Sequence, residues 1–324
     1  MKKRKKRKKL KKKYSVLLVA LCITAGILLT VSNNATEPDY SDYSASAKAV
    51  PAGVSDTTVA TEEAATINAP STDAGIALSD ELARLNETYP NQVGFVLINE
   101  GTGETIATNE SRIFTSASLY KLFLTYAVLE KVDKGELALT DVMDDTLEGY
   151  SGATIDDYLT DTITLSVNET AHGLAHLIGW QNVESFIHEN GFKNTTFNPY
   201  LETDGIYYSG TLQTTPAEVA ELLERLLKGE LLSESSTSYF LYLLADQQLV
   251  YALNTGLTDE VSFAHKTGIL DDVSHDAGII TLDGQDYIVA VLTDGWQNAI
   301  DEATPVFESV GASIMTYLHA SENK

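Results

Sequence analysis

The strand-forming segments of this chain lie at its two ends with helices between them, and that arrangement limits the fold more than any other feature. Val93–Ile98 reads as a strand with Phe95 and Leu97 on one face. Gly101-Thr102-Gly103 makes a turn, and Glu104–Thr108 returns as its hairpin partner. Three further apolar, β-branched runs come late, Val261–Lys266, Ala277–Leu282 and Tyr287–Leu292, with Asp283-Gly284 as the turn joining the last two. The middle has helical spacing instead. Leu122, Phe123, Tyr126 and Leu129 recur along Leu119–Val132, and further helices are expected at Glu169–Ile178, Val183–Glu189, Pro216–Leu227 with Thr215 as its cap, and Ser235–Leu244. Ser79 is expected to cap a short early helix carrying Leu82 and Leu85, and Thr304–Leu318 a closing amphipathic one. Strands from both ends must therefore pair around an inserted helical lobe, which predicts two lobes with a cleft between them.

Charge divides the chain. Eleven of its 22 Lys and Arg residues lie in the first thirteen positions with no acid among them, leaving eleven cations against 46 acids and a net charge of −35 after Lys13. A body so acidic is a poor partner for nucleic acid or an anionic membrane surface, because phosphate contacts need clustered cations. Tyr14–Val31 is a nearly unbroken apolar run, about 27 Å long as a helix at roughly 1.5 Å per residue, close to a membrane span. Residues 1–13 are read as a cytoplasmic basic segment, 14–32 as a single-pass anchor that exports the rest of the chain, and 33–77 as a flexible acidic spacer. Residues 78–320 are the folded body. The alternative for the N-terminus is a signal peptide cut near Ser32-Asn33-Asn34-Ala35, giving a secreted product. The single cysteine, Cys22, sits in the apolar run, so no disulfide framework and no cysteine metal site is expected. His172 and His176 have zinc spacing, but no Glu follows His172 and no third ligand is evident, so no metal and no cofactor is expected.

Three short motifs carry the chemistry. Ser118-Leu119-Tyr120-Lys121 stands where a loop becomes a helix, and three residues of helix put serine and lysine on one face about a turn apart. In a body with few cations, a lysine beside Leu122 and Phe123 must find a partner or lose its proton. Ser166-Val167-Asn168 precedes a helix and offers a hydroxyl and an amide two residues apart, unless Ser166 or Asn168 merely caps that helix. Lys266-Thr267-Gly268 ends a late strand, where Lys and Thr can hold a carboxylate and Gly allows close approach of a substrate backbone. No Gly-x-Ser-x-Gly elbow is present, which disfavours a Ser-His-Asp hydrolase.

In this order the three motifs resemble the signature of the penicillin-recognising serine enzymes, the class A β-lactamases and penicillin-binding proteins. The likeness extends to Thr164–Ala171, to Thr214-Thr215-Pro216, to Leu226–Ser233 and to His265–Gly268. It implies an α/β (α+β) sandwich, a five-stranded antiparallel sheet with flanking helices beside an all-helical lobe. It implies Ser118 as the acylated nucleophile, Lys121 as its proton acceptor and Ser166 as the proton donor to the leaving nitrogen. Asn168 would bind the substrate amide, and Lys266 with Thr267 the substrate carboxylate. The N–H groups of Ser118 and of Ile269, which comes directly after Gly268, would form the oxyanion hole. His275, close after Lys-Thr-Gly, would be a further cation for the carboxylate or else an ordinary loop histidine. Val167 departs from the Asp of Ser-Asp-Asn, and Phe197–Pro216 lacks the Glu-x-x-Leu-Asn pattern of the deacylating loop, leaving Glu202 as its one glutamate. The expected substrate is a β-lactam or the acyl-D-Ala-D-Ala end of a cell-wall peptide. The readings are a β-lactamase, a DD-peptidase with slow β-lactam turnover, or a surface binding module without catalysis.

Overall fold

In the computed structural model the described residues are 72–143, 147, 149–197 and 212–322. The chain divides into two units, Met1–Thr66 and Ile67–Lys324, and only the second contains described residues. The basic segment, the apolar run, most of the acidic spacer and Glu202 therefore lie outside them. No helix among the described residues is long and apolar enough to cross a membrane.

A five-stranded antiparallel sheet forms the frame. Strand β1 (Val93–Asn99) pairs with β2 (Thr105–Thr108) on one side and with β7 (Gln285–Asp294) on the other. Beyond β7 come β6 (Val273–Leu282) and, at the edge, β5 (Ser262–Ile269). The expected pairing of early with late strands is thus the β1–β7 ladder, in register from Val93 opposite Thr293 to Asn99 opposite Tyr287. The turn between β6 and β7 has Asp283 and Gly284 both at positive φ, 48° and 85°, which the Asp-Gly pair tolerates.

Alternation along the strands divides the core in two. Val96, Ile288, Ala290 and Leu292 face the helical lobe. Phe95, Leu97, Val289 and Val291 face the opposite layer, made by helix α1 (Asp73–Thr88) and the closing helix α8 (Ala299–Glu322). Helix α1 starts six residues before the expected cap. Its N-cap is Thr72, whose hydroxyl accepts from Gly75 N, and Ser79 lies inside the helix.

The lobe is built around α2 (Tyr120–Asp133), in which every residue from Tyr120 to Leu129 is buried. A helix apolar on all sides is a core helix, and α2 is enclosed by its neighbours. Around it stand α3 (Ile155–Thr164), α4 (Asn168–Ile178), α5 (Trp180–Glu189), α6 (Pro216–Leu227) and α7 (Glu234–Ala245). The sequence expectations include all of these except α3, although Ile155, Tyr158, Leu159 and Ile163 recur along it at helical spacing and are buried. A capping box starts it, with Thr154 and Asp157 exchanging hydrogen bonds. A small ladder, β3 (Phe114–Thr115) with β4 (Gln213–Thr214), was also not expected.

Gly278 of β6 lies opposite His265 of β5, and a Cβ there would sit 2.3 Å from Ala264 O and 2.5 Å from His265 Cβ. Gly278→Ala should therefore push the edge strand away and cost about 1–3 kcal/mol, the range for overpacking. Thermal unfolding should show a fall of several degrees.

Candidate active site

The three motifs converge on one hydroxyl. Ser118 lies in a single 3₁₀ turn, Ala117–Leu119, that leads directly into α2, so Lys121 follows it by one turn. Lys121 is fully buried, and its Nζ donates to Ser166 O at 2.7 Å, Asn168 Oδ1 at 2.8 Å and Ser166 Oγ at 3.2 Å. Lys266, also fully buried, donates from Nζ to the same Ser166 Oγ at 2.8 Å and to Thr267 O at 2.8 Å. The Ser166 hydroxyl thus stands between two lysines from segments 145 residues apart in sequence. Ser118 Oγ, half-buried, makes no hydrogen bond to a described residue.

Backbone strain sits at two of these points. Ala117 has φ 45° and Ser166 φ 58°, left-handed values that ordinarily favour glycine. The Ser166 conformation removes the capping alternative. Val167 is the N-cap of α4 and makes no side-chain cap, while Ser166 and Asn168 turn their polar atoms to the lysines. Gly268 allows the other approach: a Cβ on it would stand 3.3 Å from Ser118 N, Ser116 O and Ala117 Cβ. The end of β5, including Ile269, is thereby laid against the backbone of the Ser118 turn.

Electrostatics follows from burial. Desolvation pulls Lys121 down to about 7, opposed only by the charge of Glu169. Lys266 is lowered well below its ordinary range, first by desolvation and then by the charge of Lys121, while Asp276 acts in the opposite direction. Two buried ammoniums sharing one hydroxyl cannot both keep their charge cheaply. An unprotonated Lys121 is a basic amine in contact with the Ser166 hydroxyl and one helical turn from Ser118. Thr267 Oγ1 is buried with no hydrogen-bond partner among the described residues, an acceptor and donor left for a ligand.

His275 does not join this group. It is fully buried, with Nε2 donating to Thr115 O at 2.7 Å and Nδ1 accepting from Thr293 N at 3.0 Å. Desolvation lowers it to about 4, so the ring is neutral near pH 7 and joins β3 to the sheet. The expected cation for a carboxylate is withdrawn. His172 and His176 lie against Trp180 at ring separations of 6.0 and 6.2 Å, and no group of three or more metal-ligating side chains occurs among the described residues.

Two buried carboxylates near the site gave no sequence signal. Asp276 accepts from His265 Nδ1 at 2.7 Å and Leu253 N at 3.0 Å. Glu218 accepts from Asn194 N at 2.8 Å and Thr195 Oγ1 at 2.6 Å, while its own N–H donates to Thr215 Oγ1. It thereby ties together the chain on either side of residues 198–211. A glutamate on the first turn of a helix reads as an ordinary surface acid, and only its partners more than 20 residues upstream make it an internal one.

Comparison with known proteins places this geometry. The sequence profile of the Beta-lactamase enzyme family matches residues 77–318, three quarters of the chain. The chain belongs to the beta-lactamase enzyme family. A β-lactamase of Rhodobacter capsulatus is 30% identical over 172 residues, covering 48% of this chain and 59% of that protein, so the match spans less than two thirds of the relative. Among solved structures, a β-lactamase of Sphaerobacter thermophilus superposes with a TM-score of 0.63 at 26% identity over 74% of this chain and 96% of that one. A mutant of PBP-A, as its acyl-enzyme complex with penicillin G, superposes with a TM-score of 0.66 at 23% identity, covering 76% and 97%. The fold is that of the β-lactamase family, with the five-stranded sheet and helical lobe expected from the motifs.

For this β-lactamase-family site the depressed Lys121 has a direct consequence. If Lys121 takes the Ser118 proton it must be unprotonated, so acylation should accelerate as pH rises through about 7. A pH–rate profile of acylation should show that limb, and Lys121→Ala should remove it.

Proposed function

We propose that the protein is a serine acyl-transfer hydrolase that opens β-lactams through an ester at Ser118. The observation that carries this is the Ser166 hydroxyl held by both lysines, with Ser118 one turn from Lys121. In this reading Ser118 Oγ attacks the lactam carbonyl while Lys121 accepts its proton. The oxyanion is met by the N–H groups of Ser118 and Ile269, whose segments Gly268 brings together. The ring C–N bond then breaks as Ser166 delivers a proton to the nitrogen, replenished from a neighbouring lysine. Lys266 and the unpaired Thr267 hydroxyl hold the substrate carboxylate, whose negative charge stabilises the protonated form of Lys266. Asn168 uses its Oδ1 for Lys121 and keeps its amide N–H₂ for the substrate side chain. Water finally hydrolyses the ester.

A second reading has support in the sequence itself. Because residues 198–211 contain Glu202 but no Glu-x-x-Leu-Asn pattern, hydrolysis of the ester is slow in this reading, and the natural substrate is an acyl-D-Ala-D-Ala peptide. A base displaced by about an ångström costs on the order of 10²-fold. The N-terminal apolar run then tethers the enzyme with its body outside the cytoplasm, where wall peptides and antibiotics are met.

Penicillin treatment followed by mass spectrometry should place a single adduct on Ser118. Ser118→Ala should abolish it, and Lys121→Ala should slow its formation by about 10²–10⁴-fold, the scale of general-base contributions. An adduct elsewhere would sink the assignment. Steady-state turnover should show a burst of about one equivalent followed by a slower phase. A rate of roughly 10 per second or more, with Glu202→Gln trapping the ester, would instead make Glu202 the deacylating base.

A further inference from the structure

Gln247 lies just past the end of α7 and is buried, yet it belongs to none of the three motifs. Its side-chain amide is fully used. Nε2 donates to Ile163 O at 2.9 Å and to His265 O at 3.3 Å, and Oε1 accepts from Gln248 N and Leu249 N at 3.0 Å each. Gln248 N also donates to Thr164 O at 3.0 Å. The two Nε2 bonds reach opposite walls of the site. Ile163 lies three residues before Ser166, at the end of α3, and His265 lies immediately before Lys266 on β5.

Neither wall is held firmly by its own secondary structure. Ser166 occupies a strained left-handed conformation, which persists only where surroundings over-determine it. Strand β5 is at the sheet edge, paired on one side only, and its His265 carbonyl is taken by Gln247 instead of by a further strand. One primary amide therefore spans the gap across which Ser166 Oγ and Lys266 Nζ meet at 2.8 Å.

Resting on the acyl-transfer reading, we propose that Gln247 is a positioning residue that sets the separation of Ser166 from Lys266, and so the delivery of a proton to the leaving nitrogen. It acts through the two backbone segments and does not touch substrate. Changing it should affect steps that need a protonated leaving group more than attack by Ser118 itself. A β-lactam needs its nitrogen protonated as the C–N bond breaks. An acyl thioester bearing a carboxylate does not, since the C–S bond breaks with the electron pair leaving on a stable thiolate.

The test compares acylation of Ser118 by penicillin G and by such a thioester, in the full chain and in Gln247→Leu, which keeps the bulk and removes all four hydrogen bonds. The ratio of penicillin to thioester acylation rates should fall at least about tenfold, with the thioester rate changed less than the penicillin rate. Gln247→Glu, which keeps the volume and an acceptor for Gln248 and Leu249 but loses the N–H₂ donor, should shift the ratio in the same direction, and it carries the test if the leucine variant does not fold. A ratio unchanged in the folded variant, whether both rates fall together or neither falls, would overturn the proposal and leave Gln247 a packing residue. Failure of the unaltered protein to form an ester at Ser118 with either compound would instead overturn the acyl-transfer reading.

Discussion

The burial of Lys121 is the constraint on which the rest of the structure depends. Helix α2 is the axis of the helical lobe, buried on all sides for ten residues, and Lys121 is the single charged side chain within that stretch. An amine in such a place must be given acceptors or be neutralised. The protein does both. Ser166 O and Ser166 Oγ come to it from the turn before α4 and Asn168 Oδ1 from the first residue of that helix, and desolvation lowers its pKa to about 7. The left-handed turn at Ser166 gives those atoms their direction, and the packing of α3 and α4 on α2 gives the turn its place.

From that point the sheet and the lobe become mutually dependent. Ser166 Oγ also receives Lys266 from β5, so an atom of the lobe completes the hydrogen bonding of a residue in the sheet. The edge strand reaches this position because Gly278 lets it lie close on β6 and Gly268 lets it lie close on the Ser118 turn. Small residues here serve as spacers of zero length. The acidity of the body sharpens the contrast, since the two lysines lie buried in a chain dominated by carboxylates.

Much of this was legible in the residues. Apolar, β-branched runs bounded by turn residues at both ends, with long apolar helical segments between them, implied the β1–β7 pairing and the inserted lobe. The three motifs were legible as well, though what brought them together was their order and resemblance, not their spacing. What stayed hidden depended on tertiary partners. Helix α3 is the exception, since Ile155, Tyr158, Leu159 and Ile163 give it a helical apolar period and Thr154 with Asp157 marks its start, so that its signal was local. By its place soon after Lys-Thr-Gly, His275 suggests a cation for a substrate carboxylate. Register places it opposite Gly268, and there it fills an interior position between strands. Glu218 and Gln247 carry no local mark at all, since a buried amide or carboxylate is defined by carbonyls and hydroxyls far away along the chain.

The two left-handed residues at the site lead to an asymmetry in how the protein could be stabilised. Ala117 and Ser166 each hold strain of about 1–3 kcal/mol that a glycine would release. At Ala117 the exchange gives up only a methyl group, so that the conformational relief and the loss of function are separable. At Ser166 the side chain that opposes the backbone geometry is the same hydroxyl that joins the lysines. There a strained dihedral and the oxygen that both lysines share belong to one residue, and no substitution can improve the first without surrendering the second.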